Sequence, residues 1–143
     1  MSGRGRKAAR AMAAHIRTAE IHPDLILCSP AVRAHATLEL VQPSLGGAEI
    51  AIDDDLYTFE ATVVLERLRR LPGDVASVMV VGHNPAIADL AVALAQDGDR
   101  VEDLASTYPT GALAELELDV DRWSALRPRC GRLVSFVTPK DLR

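Results

Sequence analysis

Two stretches of the chain place groups able to bind or transfer a phosphoryl group where a strand should give way to a helix. One runs Cys28-Ser29-Pro30-Ala31-Val32-Arg33, the other Val81-Gly82-His83-Asn84-Pro85. Each follows an apolar run, Leu25 to Cys28 and Ser77 to Gly82, of the kind expected of a buried parallel strand. Sites in open α/β sheets gather at such carboxyl ends. A helix starting there turns free backbone N–H groups and the positive end of its dipole toward an anion. Arg33 adds a planar fork for two phosphate oxygens, and His83 can donate to a third or exchange a proton. Each residue alone also has an ordinary reading, a satisfied structural histidine and a first-turn surface charge. Neither a Gly-rich phosphate loop nor a Ser-His-Asp order stands out.

Periodicity supplies the elements that must position these groups. Ala9, Met12, Ala13 and Ile16 fall at helical spacing within a first helix expected from about Arg6 to Thr18. The strand Leu25 to Cys28 follows, and Ser29-Pro30 has the form of a helix cap followed by a first-turn proline. That helix should run to about Val41, before Pro43 and Gly46-Gly47. A strand around Glu49 to Ile52 leads into Asp53-Asp54-Asp55, then a helix from Phe59 to Leu71 burying Phe59, Val63, Leu68 and Leu71. After the second junction comes a helix with Ile87, Leu90, Ala91 and Leu94 on one face. Ala112 to Val120 alternates apolar and acidic residues as a half-solvated strand does, and pairs with a last strand, Gly131 to Val137. The expected fold class is α/β, a three-layer sandwich with a mixed, mostly parallel sheet flanked by helices. With 143 residues and no repeat or linker, the chain reads as one domain.

Composition narrows the partners. Apolar residues at 48% and charged residues at 25% are ordinary for a globular protein. The net charge of -4 gives no general reason to expect nucleic acid or an anionic membrane. The basic opening (Arg4, Arg6, Lys7, Arg10) has no interleaved aromatics and reads as a solvated helix face. No apolar run approaches the roughly 20 residues of a spanning helix, and the polar start is unlike a signal peptide. Cys28 and Cys130 lack a neighbouring Cys or His at ligand spacing, so a reducing, cytoplasmic setting without a structural metal is expected.

Four motifs in order resemble the histidine phosphatase superfamily, in the branch of small bacterial phosphohistidine phosphatases. Ser29-Pro30-Ala31-Val32-Arg33-Ala34, with Thr37, resembles its SPxxRAxxT stretch. Val81-Gly82-His83-Asn84-Pro85 resembles the second-histidine motif. Gly5-Arg6-Lys7-Ala8-Ala9 is similar to the start of the family's first helix, and Tyr108-Pro109-Thr110-Gly111-Ala112 to the entry of its late strand. The resemblance implies a phosphatase needing no metal or cofactor, working through a phosphohistidine intermediate on phosphohistidine in proteins or on small phosphate monoesters. It makes Arg33 the second arginine of the phosphate pocket and His83 the second histidine, with Asn84 adding a backbone N–H. Asp53, Asp54, Asp55 and Glu60 are candidates for the acid that protonates the leaving group.

The family's nucleophile and first arginine belong to an Arg-His-Gly or Arg-His-Ala motif ending its first strand, and this sequence contains no Arg-His pair. His15, His22 and His35 read as structural. The resemblance thus describes a domain, residues 1–143, lacking that strand and motif, and the chain as given is expected to be inactive. Met1-Ser2-Gly3-Arg4-Gly5-Arg6 is similar to the family's Leu-(Ser/Thr)-x-Arg-Gly-Arg, which suggests that Met1 is not the natural start. The alternative is a non-catalytic domain binding phosphate or a phosphorylated protein through Arg33 and His83.

Overall fold

The fold was analysed in a computed structural model that describes residues 2–98 and 100–142. Met1, the residue at the family's leucine position, lies outside them.

Helix α1 (Gly3–Thr18) starts earlier than the apolar spacing suggests because Ser2 caps it, its hydroxyl accepting from the Gly5 N–H at 3.1 Å. Ala9, Met12, Ala13 and Ile16 are buried, while Arg4, Arg6, Lys7 and Arg10 remain exposed. Strand β1 (Leu25–Cys28) is wholly buried between two parallel neighbours, β2 (Glu49–Ile52) and β3 (Val78–Val81). Its side chains alternate between faces, as any strand requires. Ile26 and Cys28 pack with α1 and α2 (Val32–Val41), whereas Leu25 and Leu27 pack with α3 (Ala61–Arg69) and α4 (Ala86–Leu94). These are the three layers expected from the sequence.

The sheet itself is divided. Among the described residues, one sheet has the order β2-β1-β3, all parallel. The second has β4 (Ala95–Gly98), β6 (Gly131–Val137) and β5 (Leu113–Leu118), with β4 parallel and β5 antiparallel to β6. Among the described residues, strand β3 pairs on one side only and so does β5, and both line one cavity of about 3230 Å³. Met12 and Ile16 of α1 and Ile87 and Leu90 of α4 also line it. This explains why β3, the most strand-like run in the sequence, is only half-buried along its whole length.

The expected third helix needs correction, and the structure adds a strand that the pattern gave no sign of. The chain stays extended through Glu60, so α3 begins at Ala61 rather than Phe59. Phe59 is 64% exposed instead of buried, and Val64 rather than Val63 faces the core with Leu68. The segment Ala95–Gly98 forms a strand despite its polar residues, through pairing with β6, and α5 (Val101–Ser106) follows it.

Candidate active site

Parallel pairing sets the geometry. Cys28 lies opposite Val81 in the β1–β3 register, so the residues that follow emerge side by side at the carboxyl edge. The Ser29 N–H extends the ladder by donating to the Val81 carbonyl at 2.9 Å. Ser29 is completely buried, and its hydroxyl lies 2.7 Å from His83 Nε2. It also accepts the Ala31 N–H at 3.3 Å. Ser29 therefore does not cap the following helix as its place before Pro30 suggested. Ala31 occupies the cap without a side-chain bond, and α2 begins at Val32.

The His83 ring is held from a second side by Tyr57, whose ring centroid lies 5.3 Å away at a 32° tilt. The His83 carbonyl accepts the Ile87 N–H at 3.0 Å as α4 begins. Asn84 is exposed and turns away, its Nδ2 donating to the Tyr108 carbonyl at 3.1 Å. That bond ties the second junction to the turn before β5, where Gly111 takes φ +84, a conformation that glycine adopts without strain. Burial pushes the Tyr108 hydroxyl up to about 12, so at neutral pH it remains protonated.

Arg33 stands in the first turn of α2, exposed, on the same cavity as His83. Among the described residues its guanidinium makes no ion pair or hydrogen bond. A cation without a partner among the described residues, in the first turn of α2, and a histidine fixed by a buried hydroxyl suit an oxyanion. Among the described residues no group of three His, Cys, Asp or Glu stands close enough to hold a metal ion.

Two of the acidic candidates, Asp53 and Asp55, are engaged elsewhere. Burial alone would raise the Asp53 carboxyl. The hydrogen bonds from Arg67 and the Asp55 N–H, with the charges of Arg67 and Arg70, outweigh this and hold it below the usual aspartate range. Asp55 pairs with Arg70 at 2.7 Å. Glu60 precedes α3 without a capping bond. Of the remaining histidines, His22 lies before β1 at the opposite end of the strands, and His15 and His35 sit half-buried on α1 and α2. Sequence reasoning missed the contribution of Ser29 and Tyr57, because neither has a periodic signal linking it to His83, 54 residues beyond Ser29.

The layered frame with paired strand ends defines an α/β-sandwich protein whose open edge can accept an anion. Comparisons identify the class more closely. The profile of the histidine phosphatase superfamily (branch 1) matches residues 1–62. The Mycobacterium tuberculosis protein Rv1276c is 32% identical over 127 residues, covering 82% of this chain and 74% of that protein. ML1117 of Mycobacterium leprae is 27% identical over 143 residues, covering 98% and 86%. Among solved structures, a candidate phosphohistidine phosphatase SixA from Agrobacterium tumefaciens superposes with a TM-score of 0.77 at 28% identity, covering 97% of this chain and 82% of that one. A candidate phosphohistidine phosphatase SixA from Nakamurella multipartitia gives 0.84 at 23% identity, covering 97% and 84%. A protein histidine phosphatase SixA complexed with tungstate gives 0.78 at 24% identity, covering all of this chain and 86% of that one. The chain belongs to the histidine phosphatase superfamily, and that membership supports a phosphatase activity. Among the described residues no helix is long and apolar enough to cross a membrane.

Proposed function

We propose that the protein is a phosphohistidine phosphatase in which Arg33 and His83 bind the phosphoryl group. The observation that carries this reading is the pairing of the two junctions. Ser29, four residues before Arg33, holds His83 at 2.7 Å, and the unpaired Arg33 shares its cavity. Arg33 offers two N–H groups to phosphoryl oxygens, and His83 donates to another. Both act most strongly on the charge spread over the oxygens of the transferring group. Asn84 contributes its backbone N–H at the start of α4.

The nucleophile in this reading is a neutral histidine on a strand outside residues 1–143, seated in the cavity between β3 and β5. The two strand edges, unpaired among the described residues and lining one cavity, support that placement. An extended segment there would complete both ladders and bury their apolar flanks, whereas bare edges invite aggregation. Its imidazole attacks phosphorus in line, the bond to the leaving group breaks, and the leaving nitrogen or oxygen takes up a proton. Water then attacks the enzyme phosphohistidine and releases inorganic phosphate, restoring the neutral imidazole.

Phosphohistidine on a protein is the substrate class the site fits best. Val32 at 84% exposure, Tyr57 at 61% and Phe59 at 64% stand near the junctions and leave the approach open to a macromolecule. Small phosphate monoesters fit the same pocket. Two buried free thiols, Cys28 and Cys130, accord with a reducing cytoplasmic setting. The lack of any Arg-His pair in the sequence favours one second reading, a non-catalytic phosphate-binding domain.

The test is the protein isolated from the organism that makes it. Its N-terminal peptide and intact mass would be read, and it would be trapped with a labelled phosphodonor. An acid-labile phosphoryl group on an added N-terminal histidine is expected. A protein that starts at Met1 and takes up no label would leave only the binding domain.

A further inference from the structure

We propose that Ser29 is a positioning residue that fixes the tautomer of His83, placing the ring proton on Nδ1. A hydroxyl offers one donor and two acceptor sites. The Ser29 hydroxyl already accepts the Ala31 N–H at 3.3 Å, and it is wholly buried, so water cannot take its proton. Among the described residues, the acceptor within reach is His83 Nε2, at 2.7 Å. Were Nε2 to carry the proton instead, the serine oxygen would face two donors and its own hydrogen would be buried without a partner. Leaving such a group unsatisfied costs about 1–3 kcal/mol. The neutral ring therefore accepts at Nε2 and carries its proton on Nδ1.

Nδ1 has no hydrogen-bond partner among the described residues, and His83 lines the cavity. The proton is thus left for whatever occupies that cavity. Resting on the phosphatase reading, Ser29 makes the second histidine a fixed N–H donor to a phosphoryl oxygen rather than a competing nucleophile, since its one lone pair is occupied by the serine. Tyr57 lies beside the ring, its centroid 5.3 Å away at a 32° tilt.

The test is long-range ¹H–¹⁵N correlation on protein labelled at histidine nitrogen, taken at about pH 8.5 where an ordinary imidazole is neutral. His83 is expected to show a protonated Nδ1 and a bare Nε2. In Ser29→Ala the Nε2–H form should rise several-fold, and Ser29→Thr, which restores a hydroxyl, should reverse that rise. A wild-type spectrum with the proton on Nε2 overturns the proposal, even if the variants fail to fold. An unchanged tautomer in a folded Ser29→Ala protein overturns it equally. No turnover is needed for this readout, so its failure and failure of the phosphatase reading are separate results.

Discussion

Replacing Asp53 by Asn removes the charge that faces Arg67 and tests whether this carboxyl is a structural ion-pair partner or an acid. The two side chains are 18% and 19% exposed, more enclosed than a surface pair. An exposed pair contributes ~0.2–1 kcal/mol, and a hydrogen bond to a charged group about 1.5–3 kcal/mol. A loss of about 1–2 kcal/mol lies between these limits. Unfolding entropy of about 2.1 cal/mol/K per residue over 143 residues converts this loss to a Tm lower by roughly 3–7 °C. The sign with pH follows from the direction of the shift. A carboxyl held below its usual range stabilises the fold above its unfolded value, near 3.9, and that stability disappears as the pH falls through the lower folded value. Thermal unfolding by circular dichroism should therefore show a constant Tm gap between wild type and Asp53→Asn from neutral pH down to about pH 5, closing in the acid range below about pH 4. A gap of less than about 1 °C at neutral pH, or one that persists unchanged in strong acid, would refute the reasoning. In a phosphatase assay the same variant should keep its turnover, because an ionised Asp53 has no proton to give.

The site and its frame carry further expectations. Arg33→Ala should weaken inorganic phosphate binding by about 10–100-fold in isothermal titration calorimetry, the loss of one charge-assisted contact. Its Tm should hold, because Arg33 is exposed and unpaired; equal affinity would remove Arg33 from the pocket. Gly98 has φ +127, and a Cβ there would run into the Leu133 carbonyl. Gly98→Ala should thus cost more than about 1 kcal/mol in urea unfolding, whereas an unchanged midpoint would contradict the β4–β6 pairing. Burial raises the Cys28 thiol above its ordinary value and Cys130 is also buried, so neither should react with a thiol reagent at neutral pH until the protein is denatured. Prompt labelling of Cys28 in the native state would contradict its placement beneath α1 and α2.

Much of this architecture was legible because local pattern and tertiary role agree. β2 and β6 take the spans their apolar spacing indicates, and α4 buries Leu90, Ala91 and Leu94 as its periodicity requires. Pattern misled where a distant partner decided the outcome. Ser29-Pro30 has the local form of a helix start, yet the serine hydroxyl bonds across the sheet to His83, and the helix waits until Val32. Ala95–Gly98 has no strand-like alternation and is ordered by the edge of β6. Phe59 reads as core because the third helix is expected to start at it, but the extended backbone through Glu60 leaves it outside. The division of the sheet follows the same logic. A run such as Val78-Met79-Val80-Val81 announces a buried strand, while its neighbours depend on the topology.

The most direct test is phosphate release from a phosphohistidine-bearing protein, catalysed by the protein isolated from the organism that makes it, with Arg33→Ala and His83→Ala compared under single-turnover conditions. Removal of one contact to transition-state charge is worth about 10²–10³ in rate, so each variant should fall by at least about 100-fold while keeping the wild-type fold. Release close to the wild-type rate in either folded variant would contradict the assignment of the two strand-end junctions as the phosphoryl site.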